Sequence, residues 1–207
     1  MTIGIEIIVV ASRRRKPVVT KYLTGLPHSV SWTPDYPFPE DWKISPEYEG
    51  LNKPENVIFD YRCFRGHQDA IRQSKEEVTL IFEDDARPIR WDWISLVQGA
   101  RSLSGKYEIV SLHATSFDRA HFTPVPCKGV GEFLLPKDRW KAPHAKVSMF
   151  WALRSVAYLI NRAGKEKFLS QSYEGLPVDL FIANRFAFCV ISESPFEHDL
   201  RYGSLIR

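Results

Sequence analysis

Cysteine is scarce in this chain, which has only Cys63, Cys127 and Cys189 in 207 residues. An odd and widely spaced set lacks the pattern of a disulfide framework and the short spacing of a metal-ligand motif. We therefore expect reduced thiols with structural roles, as in a cytosolic protein.

Long apolar runs are also missing, and no stretch of the sequence is long enough to cross a membrane as a helix. The first apolar stretch, Ile3–Val10, contains Glu6 and is followed by arginines, so it lacks the pattern of a signal peptide. These two absences lead us to expect a cytoplasmic protein.

Charge of one sign is not in large excess, and a glycine-rich phosphate loop is absent. The 28 basic and 25 acidic residues leave a formal net charge of +3, which does not require a nucleic-acid partner. The missing P-loop disfavours a nucleotidyltransferase or a phosphatase that depends on one. What is present is an ordinary globular composition, in a chain long enough for one domain with a sizeable core.

The most informative stretch is Leu80–Asp85, where three apolar residues run into the adjacent carboxylates Glu83, Asp84 and Asp85. Neighbouring carboxylates repel each other and resist burial, so folding alone does not favour them. Mg²⁺ and Mn²⁺ take hard oxygen ligands and often share them with a substrate phosphate. The pattern therefore predicts a divalent-cation site at the end of a buried strand, and the alternative is a solvated acidic turn.

Strand and helix patterns alternate along the chain, which predicts an α/β fold. The predicted strands are Ile3–Val10, His28–Trp32, Val78–Phe82, Tyr107–His113, Val156–Ile160 and Phe186–Ile191. The predicted helices are Arg13–Leu23, Asp60–Arg72, Asp92–Leu103, a helix that follows Asn161–Gly164 and runs through Leu169, and Pro177–Ala183. Irregular structure is expected at the proline-rich Thr33–Glu55 and at Thr115–Pro143, the latter with a hairpin around Val130–Leu135. The tail Glu193–Arg207 is short, polar and mixed.

Ligands of open α/β sheets bind beyond the carboxyl ends of the strands. Ser12 and Arg13 follow the first predicted strand, Ser12 as the cap of the next helix and Arg13 as the first residue of the basic run 13–16. We expect these residues to face a diphosphate. The alternative is a solvated basic helix face.

Four segments, taken together and in this order, resemble glycosyltransferase family 25, the lipooligosaccharide-type β-galactosyltransferases and their collagen-modifying relatives. The segments are Cys63–Ala70, Leu80–Ala86, Ala157–Gly164 and Leu176–Asp179. The family commonly has Ser-His where this chain has Gly66-His67, and 115–143 has no counterpart that we can place.

The resemblance implies a single GT-A domain over residues 1–207, an α/β/α sandwich with a mostly parallel central sheet. It further implies an inverting transferase that moves a hexose from a nucleotide-sugar, UDP-glucose or UDP-galactose, to a saccharide hydroxyl such as one of lipopolysaccharide. An enzyme of this family would be cytoplasmic, and it would work in solution or peripherally at the inner face of a membrane.

Site roles follow from the same resemblance. Glu83 and Asp85 correspond to the metal-binding carboxylates for Mn²⁺ or Mg²⁺, and Asp84 lies between them near the donor ribose or sugar. His67 falls in a matched motif and is expected to orient the donor site. Asp179 is the candidate catalytic base, its alternative role being to complement the dipole of its helix. We expect His198 to be an additional metal ligand, as a late histidine is in many GT-A enzymes, although a lone late histidine is more often a surface residue.

Two other functions stay open at this point. The first is a phage-type glycosyltransferase in a host cytoplasm, which would modify a hydroxymethylated base in DNA and use the basic clusters at 13–16 and 137–146. The second is a non-catalytic nucleotide-sugar-binding module, which the intact carboxylate cluster disfavours.

Overall fold

A computed structural model describes residues 4–12, 17–44, 54–114, 122–136 and 155–199. The strands are β1 (Glu6–Ser12), β2 (Ser29–Thr33), β3 (Val78–Glu83), β4 (Ala86–Pro88), β5 (Ile109–Ser111), β6 (Phe122–Cys127), β7 (Gly131–Pro136), β8 (Ala157–Asn161), β9 (Phe188–Ile191) and β10 (Phe196–His198). The α-helices are α1 (Pro54–Gln73), α2 (Trp93–Ala100), α3 (Arg162–Leu169) and α4 (Val178–Arg185). Short 3₁₀ helices occupy Val19–Tyr22 and Arg101–Gly105.

Eight strands form one sheet in the order β2-β1-β3-β8-β5-β9-β7-β6. β1 is parallel to β2 and β3, and β5 is parallel to β9. β8 is antiparallel to both β3 and β5, and β7 is antiparallel to both β9 and β6. Six of the eight strands therefore run in one direction, with β8 and β7 reversed, so the sheet is mixed although one direction dominates.

Helices cover both faces of this sheet, which is why the residues of its central strands β1 and β3 are almost all buried. Alternate β1 residues point to opposite faces: Ile7 and Val9 pack in one core cluster with α2, and Ile8 and Val10 pack in the other cluster with α1, α3 and α4. The predicted α/β fold is confirmed in the part of the chain that the structure describes.

Among the described residues, β4 and β10 form a second sheet, in which they pair antiparallel with His198 opposite Ala86. The sequence patterns predicted neither strand. β4 begins shortly after β3 ends, so the second sheet lies directly beyond the acidic end of β3.

The helix predicted at Arg13–Leu23 is wrong over its described part, where only Val19–Tyr22 is helical and of the 3₁₀ type. The amides of Val18 and Val19 donate to the Asp84 carbonyl at 2.6 and 3.3 Å, so they hold the chain to the end of β3 instead of starting an α-helix. Ser12 accordingly ends β1 and does not cap a helix.

No strand was predicted in the tail Glu193–Arg207, yet β10 lies within it. The hairpin around Val130–Leu135 is confirmed and is longer than predicted, since β6 pairs with β7 along six residues each. α1 begins at Pro54, slightly before the predicted end of the proline-rich loop. No helix among the described ranges is both long and apolar enough to cross a membrane.

Candidate functional site

Glu83 is the last residue of β3, at the carboxyl end of the sheet, and its side chain is 19% exposed. Its Oε1 accepts a hydrogen bond from the Ser155 hydroxyl, and His67 Nε2 lies 3.5 Å from the same oxygen. Glu83 therefore lies between a buried imidazole and the open end of the sheet.

His67 comes from α1 and is fully buried. Its Nδ1 lies 2.7 Å from the hydroxyl of Tyr158 on β8, and the two rings stack with their centroids 5.7 Å apart. Both ring nitrogens therefore face protein groups, and the imidazole supports Glu83 from behind. This placement agrees with an orienting role for His67, which stays a prediction.

The Glu83 carboxyl is held in its charged form. Burial alone raises its pKa, but the imidazoles of His67 and His198 and the Ser155 hydroxyl together lower it to about 2. Glu83 is consequently a carboxylate at neutral pH, which is the form that coordinates a cation.

Asp84 connects the ends of two neighbouring strands. Its side chain is buried, and its Oδ2 accepts a hydrogen bond of 3.0 Å from the Ser12 amide of β1. Because its carbonyl also binds the amides of Val18 and Val19, Asp84 fixes the chain that leaves β1. The structure thus brings Ser12 to the acidic turn, whereas Arg13 lies outside the described residues.

Asp85 and His198 come together through the small sheet. The Asp199 amide donates to the Asp85 carbonyl at 2.9 Å, and His198 Nδ1 lies 3.9 Å from Asp85 Oδ2. His198 Nε2 is buried without a hydrogen-bond partner among the groups that the structure describes. An unsatisfied buried nitrogen is costly, and a cation would satisfy it.

The buried His113, which follows β5, holds β10 in position. His113 Nδ1 contacts the Phe196 carbonyl at 2.8 Å and the Ser194 hydroxyl at 3.0 Å. The rings of His113 and His198 are 5.7 Å apart. An ion pair between Arg87 and Glu197 joins the two strands on their other side. His113 thus supports the strand that carries His198.

Glu83, Asp85 and His198 each offer one ligand atom, and the three atoms lie within 4.8 Å of one another. Two carboxylate oxygens and one imidazole nitrogen fit Mn²⁺, and the oxygens fit Mg²⁺. The residues that the sequence singled out for a metal are therefore brought together, although 113 positions separate His198 from Asp85.

Asp179 lies in the first turn of α4, and its side chain is partly buried. Burial and the negative charge of Glu83 raise its pKa to about 7, against the lowering effect of the Leu180 amide, which donates to Oδ1 at 3.0 Å. Asp179 therefore lies within electrostatic range of the cluster, and near neutral pH it exchanges between acid and base forms.

Three residues around Glu83 and His67 were not identified as site residues from the sequence: Ser155, Tyr158 and Cys63. Tyr158 lies in the predicted strand Val156–Ile160. Cys63 lies in the predicted helix Asp60–Arg72, four residues before His67, and that helical spacing was the available signal for Cys63. Ser155 precedes β8 without any local pattern that points to Glu83.

No protein-family model matches the chain, and no curated protein matches it. Among solved structures, the chain is similar to A197 from STIV, with a TM-score of 0.46 and 10% identity, over 93% of this chain and 83% of that one. It is also similar to HddC from Yersinia pseudotuberculosis, with a TM-score of 0.39 and 8% identity, over 91% of this chain and 70% of that one. Similarities this distant give no information about function, so a functional proposal has to rest on the geometry of the chain's own residues.

Proposed function

We propose that this chain is a metal-dependent inverting glycosyltransferase with a single GT-A-like α/β/α domain. It would move a hexose from a nucleotide-sugar, UDP-glucose or UDP-galactose, to the hydroxyl of a saccharide such as lipopolysaccharide. The observation that carries the proposal is the convergence of Glu83, Asp85 and His198 at the carboxyl end of the sheet. The motif resemblance supplies the donor and acceptor classes.

Glu83, Asp85 and His198 would hold Mn²⁺ or Mg²⁺. When bound, such an ion neutralises the diphosphate of the leaving nucleotide. The end of β1 supports this arrangement, since Ser12 adjoins the acidic turn through Asp84. Ser12 and Arg13 would face the diphosphate, and Asp84 would lie near the donor ribose or sugar.

Asp179 would act as the base of a single displacement. The acceptor oxygen forms a bond to the anomeric carbon and transfers its proton to the Asp179 carboxylate. The bond from that carbon to the diphosphate oxygen breaks, and its electron pair leaves on the nucleoside diphosphate. A base with a pKa near 7 is matched to this task, and the charge of Glu83 helps to produce that pKa.

His67 would act as a positioning residue in this scheme. It is completely buried and contacts Glu83 and Tyr158, so it has no route to the donor except through the Glu83 carboxylate. Holding that carboxylate in one orientation favours the metal-binding geometry before the donor arrives.

The alternatives gain no support from the described parts of the chain. The basic clusters that motivated a modified DNA base as the acceptor, 13–16 and 137–146, lie outside them. A non-catalytic module would have no need for a base in electrostatic range of a metal group, which is the arrangement of Asp179 and Glu83.

A thermal-shift screen of nucleotide-sugars with and without Mn²⁺ tests the proposal. Ligand at a hundred times its Kd stabilises the native state by about 2.7 kcal/mol, so UDP-glucose or UDP-galactose is expected to raise Tm by several degrees when Mn²⁺ is present. His198→Ala should weaken the Mn²⁺ response about tenfold or more in concentration, because one of three ligands is removed.

The exposed His28 provides the matched control, since His28→Ala should leave the Mn²⁺ response unchanged. A donor response that is equal in EDTA and in Mn²⁺ would contradict a metal-dependent donor site. Absence of a response to every nucleotide-sugar would contradict the transferase itself.

A further inference from the structure

Glu83 belongs to two groups of ligand atoms. On the side away from Asp85 and His198, it adjoins Cys63 and His67 of α1. Cys63, His67 and Glu83 each offer one ligand atom, and these atoms also lie within 4.8 Å of one another. The second group contains a sulfur, a nitrogen and an oxygen, whereas the first contains a nitrogen and two oxygens.

We propose that Cys63, His67 and Glu83 form a Zn²⁺-binding site that competes with Mn²⁺ for the shared Glu83 carboxylate. Thiolate and imidazole are the ligands that Zn²⁺ prefers, and Mn²⁺ favours carboxylate oxygen instead. The proposal goes beyond the transferase function, because the zinc site depends only on side chains that the fold brings together.

The helix places two of the ligands correctly. Cys63 and His67 are four residues apart on α1, so both project from the same face of the helix. That face lies over the end of β3, where Glu83 provides the third ligand. Cys63 is partly exposed, whereas His67 is completely buried.

His67 offers a second and independent observation. Its Nε2 is buried without a hydrogen-bond partner in the described structure, and it points towards Glu83 at 3.5 Å. Its Nδ1 already contacts the Tyr158 hydroxyl, which can accept a hydrogen bond from Nδ1–H. A metal at this group would take the Nε2 lone pair in place of the present contact between Nε2 and Glu83, and a partner on the other ring nitrogen is usual for metal-binding histidines.

The carboxylates around Cys63 favour a cation. The Cys63 thiol lies within electrostatic range of Glu83, Asp60, Asp179 and Asp84. These carboxylates attract Zn²⁺, which would replace the thiol proton, form a zinc–sulfur bond and release one proton to the solvent.

Binding on metal-stripped protein tests the site without an activity assay. Co²⁺, which substitutes for Zn²⁺, is expected to give a near-ultraviolet charge-transfer band from the Cys63 thiolate in the wild type. In a titration with Zn²⁺, Cys63→Ser should lower the affinity about tenfold or more, because a hydroxyl is a poor zinc ligand. Zn²⁺ should also raise the apparent Kd for Mn²⁺ in proportion to its concentration.

Matched variants separate the two groups. Cys127→Ser changes a buried cysteine outside both groups and should leave the Co²⁺ band intact. His198→Ala should weaken only Mn²⁺ binding, and Glu83→Gln should weaken the binding of both ions. A wild-type Co²⁺ complex without a thiolate band would overturn the zinc site, as would an unchanged Zn²⁺ affinity in a folded Cys63→Ser protein.

The test of the zinc site and the test of the transferase function have separate outcomes. If Mn²⁺ and nucleotide-sugars fail to bind while the Cys63-dependent band is present, the transferase proposal fails and the zinc site is supported.

Discussion

Glu83→Gln is expected to reduce hexose transfer by about 10³-fold or more, because the substitution removes a carboxylate that would bind the metal. The same carboxylate is contacted by His67 and Ser155. The amide has nearly the same shape, so the loss would be electrostatic. Initial rates at saturating Mn²⁺ and donor measure it, together with the Mn²⁺-induced shift in Tm, which should disappear.

The appropriate comparison is Glu76→Gln, which neutralises an exposed carboxylate in the turn before β3. That variant should keep both the transfer rate and the Mn²⁺ response. A carboxyl whose pKa falls to about 2 on folding stabilises the metal-free protein at pH values above its unfolded pKa, so replacing Glu83 is expected to lower the stability of the fold. Circular dichroism at neutral pH therefore has to show that Glu83→Gln is folded. Full turnover in a folded Glu83→Gln protein would end the metal-dependent interpretation.

Asp179→Asn is expected to lower the transfer rate by about 10³-fold while donor affinity changes less than about twofold. The amide of asparagine cannot take the proton from the acceptor hydroxyl, and general-base catalysis contributes rate factors of about this size. Measuring donor affinity from Mn²⁺-dependent thermal shifts, and kcat from initial rates, separates a loss of catalysis from a loss of donor binding. Wild-type kcat in Asp179→Asn would assign the base to another residue.

The same variant should change the pH dependence of stability. A carboxyl whose native pKa is about 7 and whose unfolded value is 3.8 binds more protons when folded, so the protein loses stability as pH rises from about 4 to about 7. In metal-free protein at pH 8, Asp179→Asn is expected to be about 2 kcal/mol or more stable than the wild type.

Below about pH 3 the difference should become small, because Asp179 is then mostly protonated in both the folded and the unfolded state. Urea titrations at the two pH values measure it, and the exposed Asp41→Asn serves as the control that should show no such pH dependence. An Asp179→Asn protein that is less stable than the wild type at pH 8 would contradict a destabilising buried charge.

Local sequence patterns predicted most of the large sheet. The β-branched run of β1 and the apolar run of β3 have a strand pattern that needs no long-range information. The helix predicted after Ser12 failed for a non-local reason: the Asp84 carbonyl, more than sixty positions away, takes the amides of Val18 and Val19. Tertiary contacts of this kind override local propensity.

The difference between local patterns and long-range contacts also decides which parts of the site could be predicted. Glu83, Asp84 and Asp85 are adjacent in the chain, so the sequence alone reveals their cluster. β4 and β10 have no such local signal, because each has three residues and each depends on the other for its hydrogen bonds. His198 could therefore be named only through the resemblance, and Ser155, which donates to Glu83, had no local sequence signal.

The separate small sheet has a consequence for the order in which the protein matures on the ribosome. Every strand of the large sheet ends by Ile191, whereas β10 follows it in the chain. Translation from the N-terminus thus delivers the scaffold and both acidic ligands before it delivers the histidine. A nascent chain whose β10 is still in the exit tunnel would already carry Glu83 and Asp85, and it would gain its third ligand only when β10 emerges.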